Sequence, residues 1–500
     1  MKRSVITALV AALFVPHMAL AESTISSITK AWTYSHATAG TGVTSEISAY
    51  DSISNTIWVA GVVGVDVLNV SNGSLIQHID TTSFGSINSI AIHNGVAAFA
   101  IESSTKTNPG IVQLYDTTTR ALTTGTNTIT VGALPDMLTF TSDGSKLLVA
   151  NEGTPSTYGT RIGTTTPRVY GPAAVDPAGS VSVIDMNTRT VAATAGFNGV
   201  AQSGSYIRIN TGMDFEPEYI AVNSTGTKAY VTLQEANAIG VLNLNTNQFD
   251  KVIGLGVKDF SLPGNTIDTS NNGTIKFGSA NVKGFYMPDG IAAYEANGQD
   301  YLVMANEGDF REDDGDRSAA SSLGATGDLA NLRVDNTTSY VGNLFAAGAR
   351  SFSIRDANGN IVFDSGDFLD KKAAELGIYD DVRSRDKGVE PEGVELFTIN
   401  GRTIAAIGLE RTLKSAVALY DITDPTQASF IDMIVTDGDL APEGIKAFTF
   451  NGLTYLSVTN ETSNTTSLYS VTAVPEPETY AMLLAGLGLM GLSARRKNKQ

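Results

Sequence analysis

The chain has 500 residues, no cysteine and a formal net charge of −18 at pH 7. The absence of cysteine excludes disulfides, thiolate metal sites and cysteine nucleophiles, and the acidic balance argues against binding to nucleic acid or to an anionic membrane surface. With only four histidines in the sequence, we expect neither a histidine-based triad nor a His-rich zinc site. The 49 glycines and the 8% aromatic content instead indicate many short strands separated by turns.

Residues 1–21 predict a secretory signal peptide. Lys2 and Arg3 precede an apolar run over 5–15, and Ala19 and Ala21 suit cleavage before Glu22. We therefore expect an exported protein. Because it lacks cysteine, its stability must come from packing, ring closure or bound ions.

A recurring unit organises residues 22–473, which we expect to form one domain. Each copy contains a Pro-acid pair, an apolar run, a turn, a second apolar run and a glutamate. The five clearest copies pair Asp136 with Glu152, Glu218 with Glu235, Asp289 with Glu307, Glu392 with Glu410, and Glu443 with Glu461. These acids lie 16, 17, 18, 18 and 18 residues apart, a spacing that fits two short strands around a tight turn.

Two weaker copies, which begin at Glu46 and Asn88, bring the number of units to seven. Most units continue with a third and a fourth strand, and residues 25–34 would add an outer strand to the last unit. The sequence therefore predicts an all-β fold, a seven-bladed β-propeller with loop insertions. The predicted insertions cover 154–179, 198–213, 309–348 and 368–377, and the last of them contains the one predicted helix.

The paired acids are the first candidate site. In a propeller, the loop that enters the first strand of a blade lies on the same face as the loop after the second strand, so both acids should gather at one mouth of the channel. The predicted metal ligands are Asp136, Glu152, Glu218, Glu235, Asp289, Glu307, Glu392, Glu410, Glu443 and Glu461. Crowded carboxylates raise one another's pKa, and calcium accepts such an all-oxygen donor set. The alternative is that these acids cap strands and bind loop amides in a purely structural role.

Basic residues near the same motifs form a second candidate group. The predicted anion-binding residues are Arg311, Arg383, Arg385, Lys387 and Arg411. Arginine beside a bound cation suits a phosphate or sulfate group, because guanidinium offers bidentate donors. The alternative is that these side chains form salt bridges with the surplus acids. No catalytic residue is assigned, because no position matches a known nucleophile motif.

Residues 474–500 form a distinct C-terminal segment. Pro475, Glu476 and Pro477 precede an apolar stretch over 480–492 and a basic cluster over 495–499. These features resemble a PEP-CTERM sorting signal. We expect the stretch to form a short transmembrane sorting helix whose basic end stays on the cytoplasmic side. The resemblance implies an exosortase-type sorting enzyme as partner, membrane contact only through this segment before processing, and a final location at the cell surface or in the extracellular matrix. The alternative is a plain C-terminal anchor.

The motifs at 134–153, 306–309, 386–393 and 441–445 together resemble the choice-of-anchor I family of bacterial surface proteins. The inner blades are also similar to YVTN-type propellers. The family resemblance implies a secreted propeller, and some relatives carry alkaline phosphatase or phytase-like labels. It therefore favours a calcium-dependent phosphoester hydrolase. The alternative is a non-catalytic scaffold or adhesion protein that binds extracellular polysaccharide or protein.

Overall fold

The computed structural model describes residues 24–40, 42–208, 215–310 and 315–474. The signal peptide and nearly all of the C-terminal sorting segment, including its expected helix, lie outside these ranges. Across the described ranges, the structure consists almost entirely of strands, with one α-helix. None of the helices described is long and apolar enough to cross a membrane.

Most strands belong to seven sheets of four or five strands, which we number 1 to 7 along the chain. Strand β1 (Ile25–Ser35) joins sheet 7. Sheet 1 contains β2 (Ser48–Asp51), β3 (Thr56–Gly61), β4 (Gly64–Asn69) and β5 (Leu75–Asp80). Sheet 2 contains β6 (Ile87–His93), β7 (Val96–Ile101), β8 (Pro109–Asp116), β9 (Ala121–Leu122) and β10 (Thr128–Ala133). Sheet 3 contains β11 (Pro135–Phe140) and β12 (Lys146–Asn151) and, after the separate pair β13 (Arg161–Ile162) and β14 (Val169–Tyr170), β15 (Ser180–Asp185) and β16 (Thr190–Gly196).

Sheet 4 contains β17 (Gln202–Ser205), β18 (Ile220–Val222), β19 (Lys228–Leu233), β20 (Ala238–Asn243) and β21 (Gln248–Leu255). Strands β22 (Val257–Asp259) and β23 (Val282–Phe285) belong to an insertion and precede β24 (Ile291–Ala296) and β25 (Gln299–Asn306) of sheet 5. A second part of the insertion contains β26 (Arg317–Ala319), β27 (Arg333–Asp335) and β28 (Leu344–Ala346), after which β29 (Ser351–Asp356) and β30 (Ile361–Asp364) complete sheet 5.

Helix α1 (Phe368–Glu375) lies within the insertion for which the sequence predicts a helix, and it confirms that prediction. Sheet 6 contains β31 (Pro391–Ile399), β32 (Arg402–Leu409), β33 (Ser415–Asp421) and β34 (Ser429–Thr436). Sheet 7 contains β35 (Pro442–Phe450), β36 (Leu453–Asn460) and β37 (Thr465–Ala473). Short 3-10 turns cover His36–Thr38, Ala320–Leu323, Gly327–Asn331 and Asp381–Arg383.

The sheets are arranged in a closed ring. The innermost strand of each sheet, which we call its first strand, contacts that of the next sheet, in the order β2, β6, β11, β18, β24, β31 and β35, and β35 contacts β2. Apolar side chains fill the space between neighbouring sheets, as where Trp58 of sheet 1 packs near Phe99 of sheet 2 with ring centroids 6.1 Å apart. This arrangement confirms the predicted all-β propeller class. It places the first strand of each sheet along the central channel.

The N-terminal strand closes the ring. Strand β1 pairs antiparallel with β37, with Ile28 opposite Val471 and Trp32 opposite Leu468, as the sequence predicts. The outermost strand of sheet 7 therefore comes from the beginning of the chain. The two ends of the domain are tied together by a ladder of backbone hydrogen bonds instead of a covalent link.

A buried polar cluster, which we call the clasp, reinforces this closure. His36 directly follows β1, and its Nδ1 donates to Asp66 Oδ2 of sheet 1 at 2.8 Å, while its Nε2 lies 2.7 Å from Thr466 Oγ1 of sheet 7. His78 Nδ1 donates to the second oxygen of Asp66 at 2.7 Å. The contact with Asp66 thus links His36, at the end of β1, to sheet 1, and the contact with Thr466 links the same histidine to sheet 7.

The long insertion packs on the ring through Arg208. This buried side chain donates to the carbonyl oxygen of Glu235 at 2.7 Å and forms ion pairs with Asp316 and Asp335 at 2.9 and 2.8 Å. The insertion has its own apolar core, which includes Phe260. Arg208 therefore fixes the loop after β19 against the insertion.

We expect Asp66→Asn to lower the free energy of unfolding by about 1–3 kcal/mol, because a buried histidine N–H would lose its charged acceptor. Thermal unfolding of the mature protein measures the effect. The control is Asp437→Asn, since that side chain is 85% exposed and its replacement should leave the melting temperature unchanged. Equal melting temperatures for the two variants would contradict the role of the clasp.

Candidate cation-binding cup

A cavity of about 460 Å³, which we call the cup, lies at one end of the channel. Among the described residues, eleven carboxylates and five cationic side chains line it. The carboxylates are those of Asp136, Glu152, Glu218, Glu235, Asp289, Glu307, Asp309, Glu390, Glu392, Glu410 and Glu443. The cations are Arg317, Arg333, Arg383, Lys387 and Arg411. The cup is therefore a strongly acidic cavity. Its cationic side chains together form what we call the basic part of the cup.

Nine of the ten acids predicted as metal ligands line the cup. The tenth, Glu461, is exposed and lies outside the wall, although it still contributes to the raised pKa of Glu443. Of the predicted anion-binding residues, Arg383, Lys387 and Arg411 line the cavity, whereas Arg385 does not. Arg311 and the sorting residues Pro475, Glu476 and Pro477 lie outside the described residues.

Among the charged residues of the described wall, four are absent from the predicted sets: Asp309, Arg317, Arg333 and Glu390. Arg333 comes from the folded insertion, so nothing in the repeat could have placed it. Glu390 is different, because it directly precedes the Pro-acid pair of sheet 6. An acid at that position of the motif is a signal in the sequence that the repeat analysis missed.

The backbone before the Pro-acid pairs explains how the first acids are aimed. The residue before the proline has a positive φ in four of the five clear units, at 47° for Leu134, 43° for Met287, 52° for Glu390 and 58° for Ala441. Residues other than glycine rarely adopt this left-handed backbone conformation. The turn redirects the chain at the start of each first strand, and register shifts follow at Pro135/Leu138, Pro391/Val394 and Pro442/Ile445, where the acids sit. The acid is thereby released from the regular ladder toward the channel.

The same turns position the second acids. The carbonyl oxygen of Leu134 accepts from the N–H of Glu152 at 2.9 Å, and that of Glu390 accepts from the N–H of Glu410 at 3.0 Å. Sheet 7 repeats the contact with Glu461. One left-handed residue therefore holds both acids of its unit at the same end of the sheet.

Among the described residues, two groups of three carboxylates have ligand oxygens within 4.8 Å of one another. The inner cluster consists of Asp289, Glu307 and Glu392, and the outer cluster consists of Glu307, Glu390 and Glu410. All the donors are oxygens, which suits a hard divalent cation such as calcium. Glu307 belongs to both clusters and lies between them.

Fixed cations compensate the outer cluster. Lys387 Nζ lies 2.5 Å from Glu307 Oε1 and 3.1 Å from Glu390 Oε2. Arg383 pairs with Glu390, and Arg411 pairs with Glu410, each at 2.5 Å. Each carboxylate of the outer cluster thus has a cationic partner of its own or shares one.

The inner acids have no such partner. Within the described ranges, Asp136, Glu218, Asp289, Glu392 and Glu443 form no ion pair with lysine or arginine. Burial and neighbouring carboxylates raise the pKa of Asp136 to about 7 and raise the pKa values of the other four well above their ordinary range. These acids therefore tend to keep protons, because no fixed cation among the described residues would compensate their negative charge if all of them were ionised.

Two acids also have an unused ligand atom. Oε2 of Glu235 and Oε2 of Glu392 are buried and accept no hydrogen bond from the described residues. The Glu235 residue as a whole is only 7% exposed, and its pKa is raised to about 8 by burial and by Glu152 and Asp309. A buried carboxylate oxygen without a donor is costly, and a bound cation would satisfy it.

We expect the metal-free protein to be less stable at about pH 8 than at about pH 5. The raised pKa values mean that folded Asp136, Glu235 and Glu410 still bind protons at pH values where the unfolded chain has released them. Stability therefore falls as pH rises from the ordinary carboxyl pKa toward 8. Calorimetry in a metal chelator measures this slope.

The variant Asp136→Asn with Glu235→Gln should show a smaller slope, whereas Glu375→Gln, at an exposed position of α1, should keep the wild-type slope. A metal-free melting temperature that stays level or rises over this pH range would contradict the interpretation.

Comparisons with known proteins agree with the sequence resemblance. The choice-of-anchor I domain family matches residues 46–425, and the PEP-CTERM protein-sorting motif matches residues 473–497. No curated protein matches the chain. Among solved structures the chain is similar to the Kuenenia stuttgartiensis hydrazine synthase, with 10% identity, a TM-score of 0.48, and coverage of 88% of this chain and 97% of that chain.

The sorting motif and the domain indicate an exported cell-surface protein that is anchored transiently through its C-terminus. The motif also implies processing by an exosortase-type enzyme. Both findings confirm what the sequence predicts for localisation and for this partner. The family match covers most of the chain, and the chain therefore belongs to the choice-of-anchor I domain family.

Proposed function

We propose that this surface protein binds calcium in the inner part of the cup and uses the bound ion, together with the basic part, to hold and hydrolyse a phosphoester. The observation that carries the proposal is the pair of buried, unpartnered oxygens on Glu235 and Glu392, in a wall whose inner acids lack fixed cations. The donor set supports calcium over zinc, because the described cup contains no histidine or cysteine.

The basic part supports an anionic ligand. Arg411, Arg383 and Arg333 line the cup with side chains that are 42%, 27% and 31% exposed, so their remaining donors can reach a bound group. Guanidinium groups bind phosphoryl oxygens in a bidentate manner. Calcium, when bound, would stabilise negative charge on the phosphoryl group as a Lewis acid. The arginines would orient that group, and the carboxylates would hold the ion.

A second candidate function is a non-catalytic surface scaffold in which calcium stiffens the ring and the cup binds an acidic polysaccharide. The ion pairs of Arg383 with Glu390 and of Arg411 with Glu410 favour it, because these arginines are already engaged by acids of the wall. A hydrolase needs an arrangement in which these donors turn to the substrate, whereas a scaffold does not.

Calcium should raise the melting temperature of the mature protein, and a chelator should lower it. A ligand present at about 100 times its Kd stabilises the folded state by about 2.7 kcal/mol. In the variant Glu218→Gln with Glu392→Gln, we expect calcium to bind at least about tenfold more weakly, because ligand charge is removed, and the response to chelator should be blunted. Calorimetric titration measures the affinity.

The matched control is Glu375→Gln with Asp437→Asn, which removes two exposed acids outside the cup. It should bind calcium like the wild type. A wild-type melting temperature that is indifferent to chelator, together with no bound metal by elemental analysis, would overturn the calcium proposal.

The hydrolase is tested with a panel of phosphoesters on the calcium-loaded mature protein and on the chelated protein. We expect hydrolysis only with calcium, and at least about a tenfold loss of kcat/KM in Arg411→Gln, because a charged donor to the phosphoryl group is lost. If the calcium-loaded protein hydrolyses no phosphoester but binds acidic polysaccharide in a calcium-dependent way, the scaffold function holds instead.

A further inference from the structure

Lys387 is an ammonium group held inside a wall of carboxylates. Its Nζ lies 2.5 Å from Glu307 Oε1, 3.1 Å from Glu390 Oε2 and 3.6 Å from Asp309 Oδ1, and the side chain is only 8% exposed. Most lysines keep their charged end in water. Here the charged end instead lies among three carboxylates.

Contacts of the neighbouring residues hold the backbone at Lys387 in place. Buried Arg350 donates to the carbonyl oxygens of Ser384 and Asp386 at 2.6 and 3.0 Å. The next residue, Gly388, has a φ of 72°, and a Cβ there would lie 2.7 Å from the carboxylate oxygens of Asp370. Only glycine fits that position without displacing Asp370, so the direction of the neighbouring lysine is set by packing instead of by its own flexible side chain.

The neighbouring carboxylates also favour the charged ammonium form of Lys387. Burial by itself disfavours the ammonium, but Glu307, Glu390 and Asp309 outweigh that effect, and the pKa of Lys387 lies well above its ordinary value. The three carboxylates within 3.6 Å of Nζ thus stabilise the charged form of this lysine.

We infer that Lys387 is a built-in counter-ion that fills the cation position of the outer cluster, and that it thereby confines divalent ions to the inner part of the cup. The inference rests on the proposed calcium binding. The oxygens of Glu307, Glu390 and Glu410 lie within 4.8 Å of one another, as do those of the inner cluster. The two clusters differ in their fixed cations, because Glu390 and Glu410 have arginine partners and Asp289 and Glu392 have no cationic partner among the described residues.

Glu307 transmits this effect to the inner cluster. Its Oε1 accepts from Lys387, and its Oε2 accepts from Gln234 Nε2 at 2.8 Å. With both oxygens already engaged, Glu307 is a weaker ligand than Asp289 or Glu392, which have no cationic partner among the described residues. Lys387 thus determines both how many divalent ions the cup holds and which acids bind them.

The test is the number of calcium ions bound per mature chain, counted by native mass spectrometry and by calorimetric titration. We expect Lys387→Met to bind one more ion than the wild type, because the outer cluster loses its ammonium and keeps its three carboxylates. Lys387→Arg, which retains the charge, should bind the wild-type number. The matched control is Lys371→Met, which removes an exposed lysine paired with Asp367 on α1 and should leave the count unchanged.

The outcomes separate this inference from the proposed function. An equal count in Lys387→Met and in a calcium-binding wild type overturns the inference and leaves the calcium proposal standing. No binding to the wild type, with one ion bound to the variant, supports the counter-ion role and overturns calcium as the natural ligand. No binding to either protein overturns both.

Loss of the ammonium also leaves buried acids unpaired, so the variant needs a second measurement. If Lys387→Met does not fold in chelator, refolding in excess calcium should restore it, because the divalent ion replaces the missing cation. The double variant Lys387→Met with Glu307→Gln removes one charge of each sign, and it should fold without metal and bind no additional ion. Failure of calcium to rescue the single variant would overturn the inference.

Discussion

The repulsion among carboxylates at the mouth of the channel is the constraint on which the rest of this structure depends. The inner acids come from separate sheets, and a left-handed turn precedes the Pro-acid pair in four of the five units. These acids cannot move apart without disturbing the first strands of the ring, which contact one another. Their raised pKa values express the same repulsion as a tendency to keep protons. Protons, fixed ammonium and guanidinium groups, and divalent ions are three ways of relieving it, and the cup contains the second of them around Glu307, Glu390 and Glu410.

The division of the cup follows from where its residues originate. Most of the carboxylates belong to the repeat and therefore recur around the ring. By contrast, Arg383 and Lys387 come from the segment between sheets 5 and 6, and Arg333 comes from the insertion within sheet 5. The insertions neutralise only the side of the cup that they cover. The opposite side, near Asp136 and Glu443, has no insertion cation in contact with it among the described residues, and its charge is left for a mobile ion or for protons.

The positions of most repeat acids could be predicted from the sequence, but the cations that pair with them could not. Pro-acid pairs and the spacing to the following glutamate placed Asp136, Glu218, Asp289 and Glu392 at one mouth, because alternation and turn geometry are local properties. Glu461 shows the limit of that reasoning, since the same spacing leaves its side chain exposed and outside the wall.

Contacts that depend on tertiary structure could not be predicted in the same way. Arg385 and Lys387 are two residues apart in a basic stretch, yet only Lys387 lines the cup. That difference is set by Arg350 and by the left-handed Gly388, which are distant or conformational features that composition does not reveal. The pairing of Arg333 with Asp386 at 3.3 Å likewise requires the insertion to be folded.

The closed ring turns this local repulsion into a property of the whole domain. The first strands touch in an unbroken circle, and the circle is completed by hydrogen bonds between β1 and β37 and by the clasp at Asp66. In an open sheet, crowded acids could separate by bending one edge. Here any outward movement of one first strand must be shared by its neighbours or relieved at the closure, which is held without a disulfide. The clasp and the counter-ions of the cup therefore act on the same equilibrium from opposite sides: the clasp resists opening of the ring, and the counter-ions reduce the force that would open it.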